Sequence, residues 1–208
     1  MAQEPGKPFH VYVIPADGGS LEQPVSSDRP PADPNWSPDG GSLLFGHNPS
    51  DEPLGTPLGL DMVNLQSHVV SRIPGSEEVW FSRWSPGGRY ISAISRATDQ
   101  LMVFDVESKK WSELARISVS WPQWSRKADY IYFVGASGGP RGVLRLKVKD
   151  RKLEQVVNLN DFRNAPSDWG WLGLAPDDSP LLLRDITNQD VYALDWGSAV
   201  KGRNASRS

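Results

Sequence analysis

One pattern recurs in register through this chain: an indole, a serine, a tight turn, then an apolar run. Three segments carry it in full: Pro34-Asn-Trp-Ser-Pro-Asp-Gly-Gly-Ser-Leu-Leu-Phe-Gly46, Ser82-Arg-Trp-Ser-Pro-Gly-Gly-Arg-Tyr-Ile-Ser-Ala-Ile94 and Pro122-Gln-Trp-Ser-Arg-Lys-Ala-Asp-Tyr-Ile-Tyr-Phe-Val134. A fourth runs from Trp171 to Leu183, with Leu174 at the anchor and Pro176 in the turn. The anchors Trp36, Trp84, Trp124 and Leu174 are separated by 48, 40 and 50 residues. In the first turn Pro38 fixes φ near the required value, Asp39 follows, and Gly40 takes the fourth position, a type I signal. Pro86, Gly87 and Gly88 admit type I or type II, whereas Ser125 to Ala128 has lost both special residues and still suits type I.

The second half of each unit repeats too. The segments 60–65, 101–106, 143–148 and 190–195 read as third strands, and 69–73 and 153–157 as short outer ones. A turn-bounded apolar run with little alternation fits a strand buried on both faces. Four hairpin-linked strands at a period of about 40–50 residues are one propeller blade. No stretch sustains a helical period, so the fold class is all-β: a propeller of four-stranded antiparallel blades. A β-sandwich would also space short strands evenly, but it does not need its turn motif and its indoles to recur in register.

The Trp-Ser-Pro-Asp-Gly unit followed by an apolar strand resembles the repeat of TolB-like propellers, also called WD40-like or PD40 repeats, and the propellers of prolyl-oligopeptidase-type enzymes. The resemblance covers about 34–196. The ending 181–195 is similar, more loosely, to the tails of bacterial multidomain proteins that carry such propellers behind a sensor, kinase or winged-helix module.

Counted as blades, the chain reads as a flexible N-terminus over 1–8, a partial blade over 9–25, and units at about 33–73, 80–114, 121–159 and 169–196. A disordered tail follows over 197–208. This is about four units plus a part, an incomplete ring. The resemblance implies six or seven blades, so the expectation is a piece of a larger propeller. An unclosed ring leaves a strand edge and an apolar blade face in water, and self-association follows from that.

Composition narrows function by exclusion. A net charge of −3 supplies no field for nucleic acid. No apolar run is long enough for a membrane span, and Met1 to Lys7 lacks the apolar core of a secretion signal. The chain reads as soluble, in either the cytoplasm or the periplasm. With no cysteine there is neither disulfide nor thiolate chemistry.

The candidate sites are modest. His10, His47 and His68 share no metal-ligand spacing, and the expectation is no metal and no cofactor. Gly135 to Gly142 lacks the lysine of a phosphate loop and leads into a strand. No Gly-x-Ser-x-Gly elbow occurs, so no catalytic residue is assigned. The cationic stretch from Arg145 to Lys152 reads as a solvated hairpin face. Asp33, Asp39, Asp105 and Asp195 recur near turns and read first as turn caps, with lining of the central channel and cation binding as the lesser alternative. Asn35-Trp-Ser37 matches a glycosylation triplet without being informative. Trp36, Trp84, Trp124 and Leu174 read as core between blades. Trp80, Trp121, Trp169 and Trp171 precede the repeat turn on the innermost strand, where rings facing the axis could stack a ligand or a peptide.

The function these features favour is a non-catalytic platform that binds a protein or peptide, or a small molecule. The alternatives are the accessory propeller of a prolyl-oligopeptidase-like hydrolase and the sensing part of a kinase or winged-helix regulator.

Overall fold

The computed structural model describes residues 9–27, 29–48, 52–53, 55–98, 100–135, 141–164 and 171–187. Among them are thirteen strands and no helix. None of the described residues forms a helix long and apolar enough to cross a membrane.

The first sheet holds β1 (Ala32–Trp36), β2 (Ser42–Gly46), β3 (Asp61–Asn64) and β4 (Val70–Arg72), paired antiparallel in chain order. The second unit is β5 (Val79–Trp84), β6 (Tyr90–Ser95), β7 (Gln100–Asp105) and the start of β8 (Lys110–Trp124). The third is the end of β8 with β9 (Tyr130–Gly135), β10 (Gly142–Lys147) and β11 (Leu153–Asn158). A fourth begins with β12 (Leu172–Leu174) and β13 (Pro180–Leu182). The sequence pattern leaves a break at about 115–120, between the second and third units. Instead β8 runs through it: Lys110 to Ser118 pair with β7 and Val119 to Trp124 with β9, so two blades form one seven-stranded sheet. The proposed third strand at 190–195 lies outside the described residues. Near the N-terminus, Val13 and Glu22 exchange two backbone hydrogen bonds of 2.8 and 2.9 Å, a single bridge.

The apolar runs are continuous because alternate residues of the same strand serve different interfaces. On β2, Leu43 and Phe45 meet Val11 and Val25, while Leu44 meets Leu60, Ile91 and Phe104 on the other face. On β9, Ile131 and Phe133 join Leu101 and Val103 of the second unit, while Tyr132 and Val134 meet Leu172 of the fourth. Each core therefore lies between blades. Burying a Leu or Ile there contributes about 1.5–3 kcal/mol, and no blade has an interior of its own.

The conserved geometry of the repeat is in its turns. Ser37, Ser85 and Ser125 are buried and share one role. The backbone amide of each donates to the carbonyl of the first residue of the next strand, and its hydroxyl accepts the amide of that same residue, Ser42, Tyr90 or Tyr130, at 2.9–3.0 Å. The fourth turn residue is left-handed every time: Gly40 (φ 71°), Gly88 (φ 73°), Ala128 (φ 58°) and Asp178 (φ 64°).

Trp124 is buried, stacks on Tyr90 with 6.4 Å between centroids, and donates its indole N–H to the carbonyl of Arg83 at 3.1 Å. Trp84 packs into the core between the first and second units. Leu174 packs beside Leu172 against the third unit. Trp36 departs from the expected core role, being 52% exposed. The physical reason is directional: each anchor packs against the unit before it, and Val11 and Val25 before the first unit cover Leu43 and Phe45 without reaching the indole.

Candidate functional site

The innermost strands follow one another around the axis, with β1 against β5, β5 against β8 and β8 against β12. Each of the first three carries the same irregularity. Register shifts fall between Ala32 and Asn35, between Trp80 and Arg83, and between Ser120 and Gln123. Within each shift the third residue before the anchor is left-handed: Asp33 (φ 50°), Phe81 (φ 55°) and Trp121 (φ 55°). An aspartate reaches this region with modest strain, but bulky aromatic residues rarely do. Conformations of this kind cluster at binding sites, where the surrounding structure holds them in place.

All three residues line one pocket of about 310 Å³, together with Trp80, His47, Asn48 and the backbone at Ala32 and Gly46. The aromatic rings stand edge to face. Trp80 and Phe81 have centroids 5.7 Å apart at 80°, and Phe81 and Trp121 are 4.7 Å apart at 86°. The Arg83 guanidinium lies 4.6 Å from the Phe81 centroid and bonds Asp33 Oδ2 at 2.5 Å. Burial pushes the Asp33 carboxyl above the usual carboxylate range, and Arg83 only partly offsets that.

The far wall is fixed by a chain of polar contacts. His47 Nδ1 lies 3.0 Å from the Pro30 carbonyl and Nε2 lies 3.2 Å from Asp61 Oδ2. Asp61 accepts two bonds from Arg72, at 2.6 and 3.0 Å. Burial raises its carboxyl pKa, but the bonds from His47 and Arg72 outweigh that and hold it below the usual range. Both His47 nitrogens therefore face acceptors, and the ring serves as a strut. Asn35 ties the first two inner strands together by donating to the Ser82 carbonyl at 3.0 Å and accepting from the Trp84 amide at 3.2 Å. The amide of the glycosylation triplet is thus spent within the fold.

Of the residues singled out in the sequence for the axis, Trp80 and Trp121 reach the pocket. Trp171 folds back over its own strand, where a methyl on Gly173 would fall 2.5 Å from its ring. Trp169 lies outside the described residues, as does Asp195. Asp39 and Asp105 accept backbone amides inside their turns. Asp33 lines the pocket instead. Sequence reasoning passed over Phe81 and the His47 wall. A usable signal was present: Asp33, Phe81, Trp121 and Trp171 all stand three residues before an anchor. Among the described residues no group of His, Asp and Glu is placed to hold a metal ion. The cations from Arg145 to Lys152 are largely paired, Arg145 with Glu154 at 2.8 Å and Lys152 with Glu154 at 3.2 Å.

Bulged inner strands around an axis, blade-to-blade cores and a repeated Ser-capped turn define an all-β fold of propeller blades. Solved structures agree on that fold. TolB from Acinetobacter baumannii aligns at TM-score 0.64 and 13% identity, over 82% of this chain and 42% of its own. An oligogalacturonate lyase in complex with manganese aligns at 0.61 and 14%, over 79% of this chain and 47% of its own. A nidogen/laminin complex aligns at 0.59 and 8%, over 79% of this chain and 60% of that one. The chain thus spans roughly half the length of the structures it resembles. No family model and no curated protein matches the sequence.

Proposed function

We propose that the chain is a non-catalytic recognition propeller whose inner-strand pocket receives a group from a protein or peptide partner. The observation that carries this reading is the repeated left-handed bulge, which aims Asp33, Phe81 and Trp121 from three successive blades at one pocket. Strain repeated at one position per blade serves a site better than it serves stability. The polar groups of the pocket are poorly suited to catalysis: Asp33 is ion-paired with Arg83, and both nitrogens of His47 are engaged. Aromatic rings and a few fixed polar groups are instead what recognition uses. The three similar structures include a lyase and a protein complex, so the likeness of fold does not choose between roles.

Site-specific photo-crosslinking tests the reading. A benzophenone side chain placed at Asn48, in the pocket, is expected to give discrete adducts in the native host. The same group at Val156, on the outer strand, is expected to give few. Equal labelling at both positions would refute a pocket-centred platform.

A further inference from the structure

The pocket's chemistry narrows what it can hold, given the recognition reading on which this inference rests. Its body is aromatic: Trp80 and Trp121 each stand nearly perpendicular to the Phe81 ring. Such rings favour a flat apolar guest, which meets one ring edge to face and another offset-stacked. Its polar complement is small. Asp33 is in the lining, and Arg83 bonds its Oδ2, so Oδ1 is the oxygen of this carboxylate that Arg83 does not take. His47 already faces two acceptors with its two nitrogens.

Three ligand classes can be ranked on that basis. A sugar needs several donors and acceptors around its ring, and beside the engaged His47 the lining offers only the Asp33 carboxylate and the Asn48 side chain. A quaternary or primary ammonium would gain from the aromatic rings, but the Arg83 guanidinium already sits over Phe81 and neutralises Asp33. A neutral guest that carries one N–H beside a flat apolar group meets every feature. At about 310 Å³ the pocket is at the small end for ligand sites, room for one large side chain and the adjoining peptide unit.

We propose that the pocket binds an aromatic side chain of a peptide segment, with an adjacent backbone N–H donated to Asp33 Oδ1. The left-handed residues at 33, 81 and 121 are then the specificity positions of the platform, one from each blade.

The test uses N-acetyl-L-phenylalaninamide as probe on the whole chain. Saturation-transfer NMR and titration calorimetry follow binding, with N-acetyl-L-alaninamide, methyl glucoside and tetramethylammonium as comparators. The aromatic amide is expected to bind at least about tenfold more tightly than each comparator, a difference of about 1.4 kcal/mol. Phe81→Ala should weaken it about tenfold and Trp121→Phe by less than about threefold, with unchanged melting temperatures excluding misfolding. Alaninamide binding as well as the aromatic amide would overturn the proposal, as would preference for the glucoside or for the ammonium ion. Should the probe fail while crosslinks still concentrate at Asn48, the ligand class is wrong and the platform reading stands. Loss of both removes the platform as well.

Discussion

Backbone strain at single residues separates what this chain needs for folding from what it keeps for its pocket. In the repeat turns the left-handed position is relieved by Gly40 and Gly88, while Ala128 holds it at φ 58°. A non-glycine residue there costs roughly 1–2 kcal/mol, partly returned where the Ala128 methyl packs on the core between the second and third units. Ala128→Gly should therefore raise stability by about 0.5 kcal/mol in a urea titration. A lowered midpoint would mean that packing outweighs strain. The two carboxylates of the pocket region act in opposite senses with pH. Asp61 titrates below its ordinary value, so its contribution is present above that value and fades as pH falls through the depressed one. Asp33 titrates above its ordinary value, so its contribution is complete at lower pH and fades as pH rises through the raised one. Asp61→Asn should flatten the acid limb of a melting-temperature profile below the ordinary carboxylate value of 3.8, and Asp33→Asn should remove the decline that sets in as pH rises above that value. Profiles parallel to that of the unsubstituted chain would contradict both assignments.

At the scale of strands and turns, the sequence was most legible where chemistry is local. The Ser-x-x-Gly turn reads directly because one hydroxyl and one left-handed residue specify it. In Ser85→Ala the half-buried Tyr90 amide loses the hydroxyl acceptor, and the expected cost is about 1–2 kcal/mol. Differential scanning calorimetry checks it, and an unchanged transition would remove the serine from the account. The indole anchors were legible as a set but not one by one, because what an anchor touches belongs to the preceding blade. Trp124→Ala should cost about 3–5 kcal/mol, since it empties a filled interface and removes the indole donor to the Arg83 carbonyl. Trp36→Ala, at a half-exposed position, should change stability by no more than about 0.5 kcal/mol. Equal losses at the two sites would show that Trp36 is covered in solution. The pocket bulges left no mark in the sequence beyond the spacing of Asp33, Phe81 and Trp121 from their anchors. An extra residue on an inner strand leaves the apolar pattern intact, and only the partner's register reveals it.

For the molecule as a whole, repeat stacking explains both its stability and its exposed faces. Trp36 at the first unit and Leu181, Leu183 and Ile186 at the fourth carry apolar surface that no described segment covers. We expect concentration-dependent association through these faces, read by sedimentation velocity. Trp36→Arg should weaken association without lowering the melting temperature. A chain that stays monomeric at millimolar concentration would show the faces to be inert. The joining of the second and third units could not be read from the sequence, because polar residues at 116, 118 and 120 leave no continuous apolar run there. Because the one strand Lys110–Trp124 pairs with β7 towards its start and with β9 towards its end, those blades are expected to open together. Their amides should exchange with deuterium as one cooperative foldon. A guest seated on Trp121 would then slow exchange as far away as the Phe104 edge of the neighbouring blade.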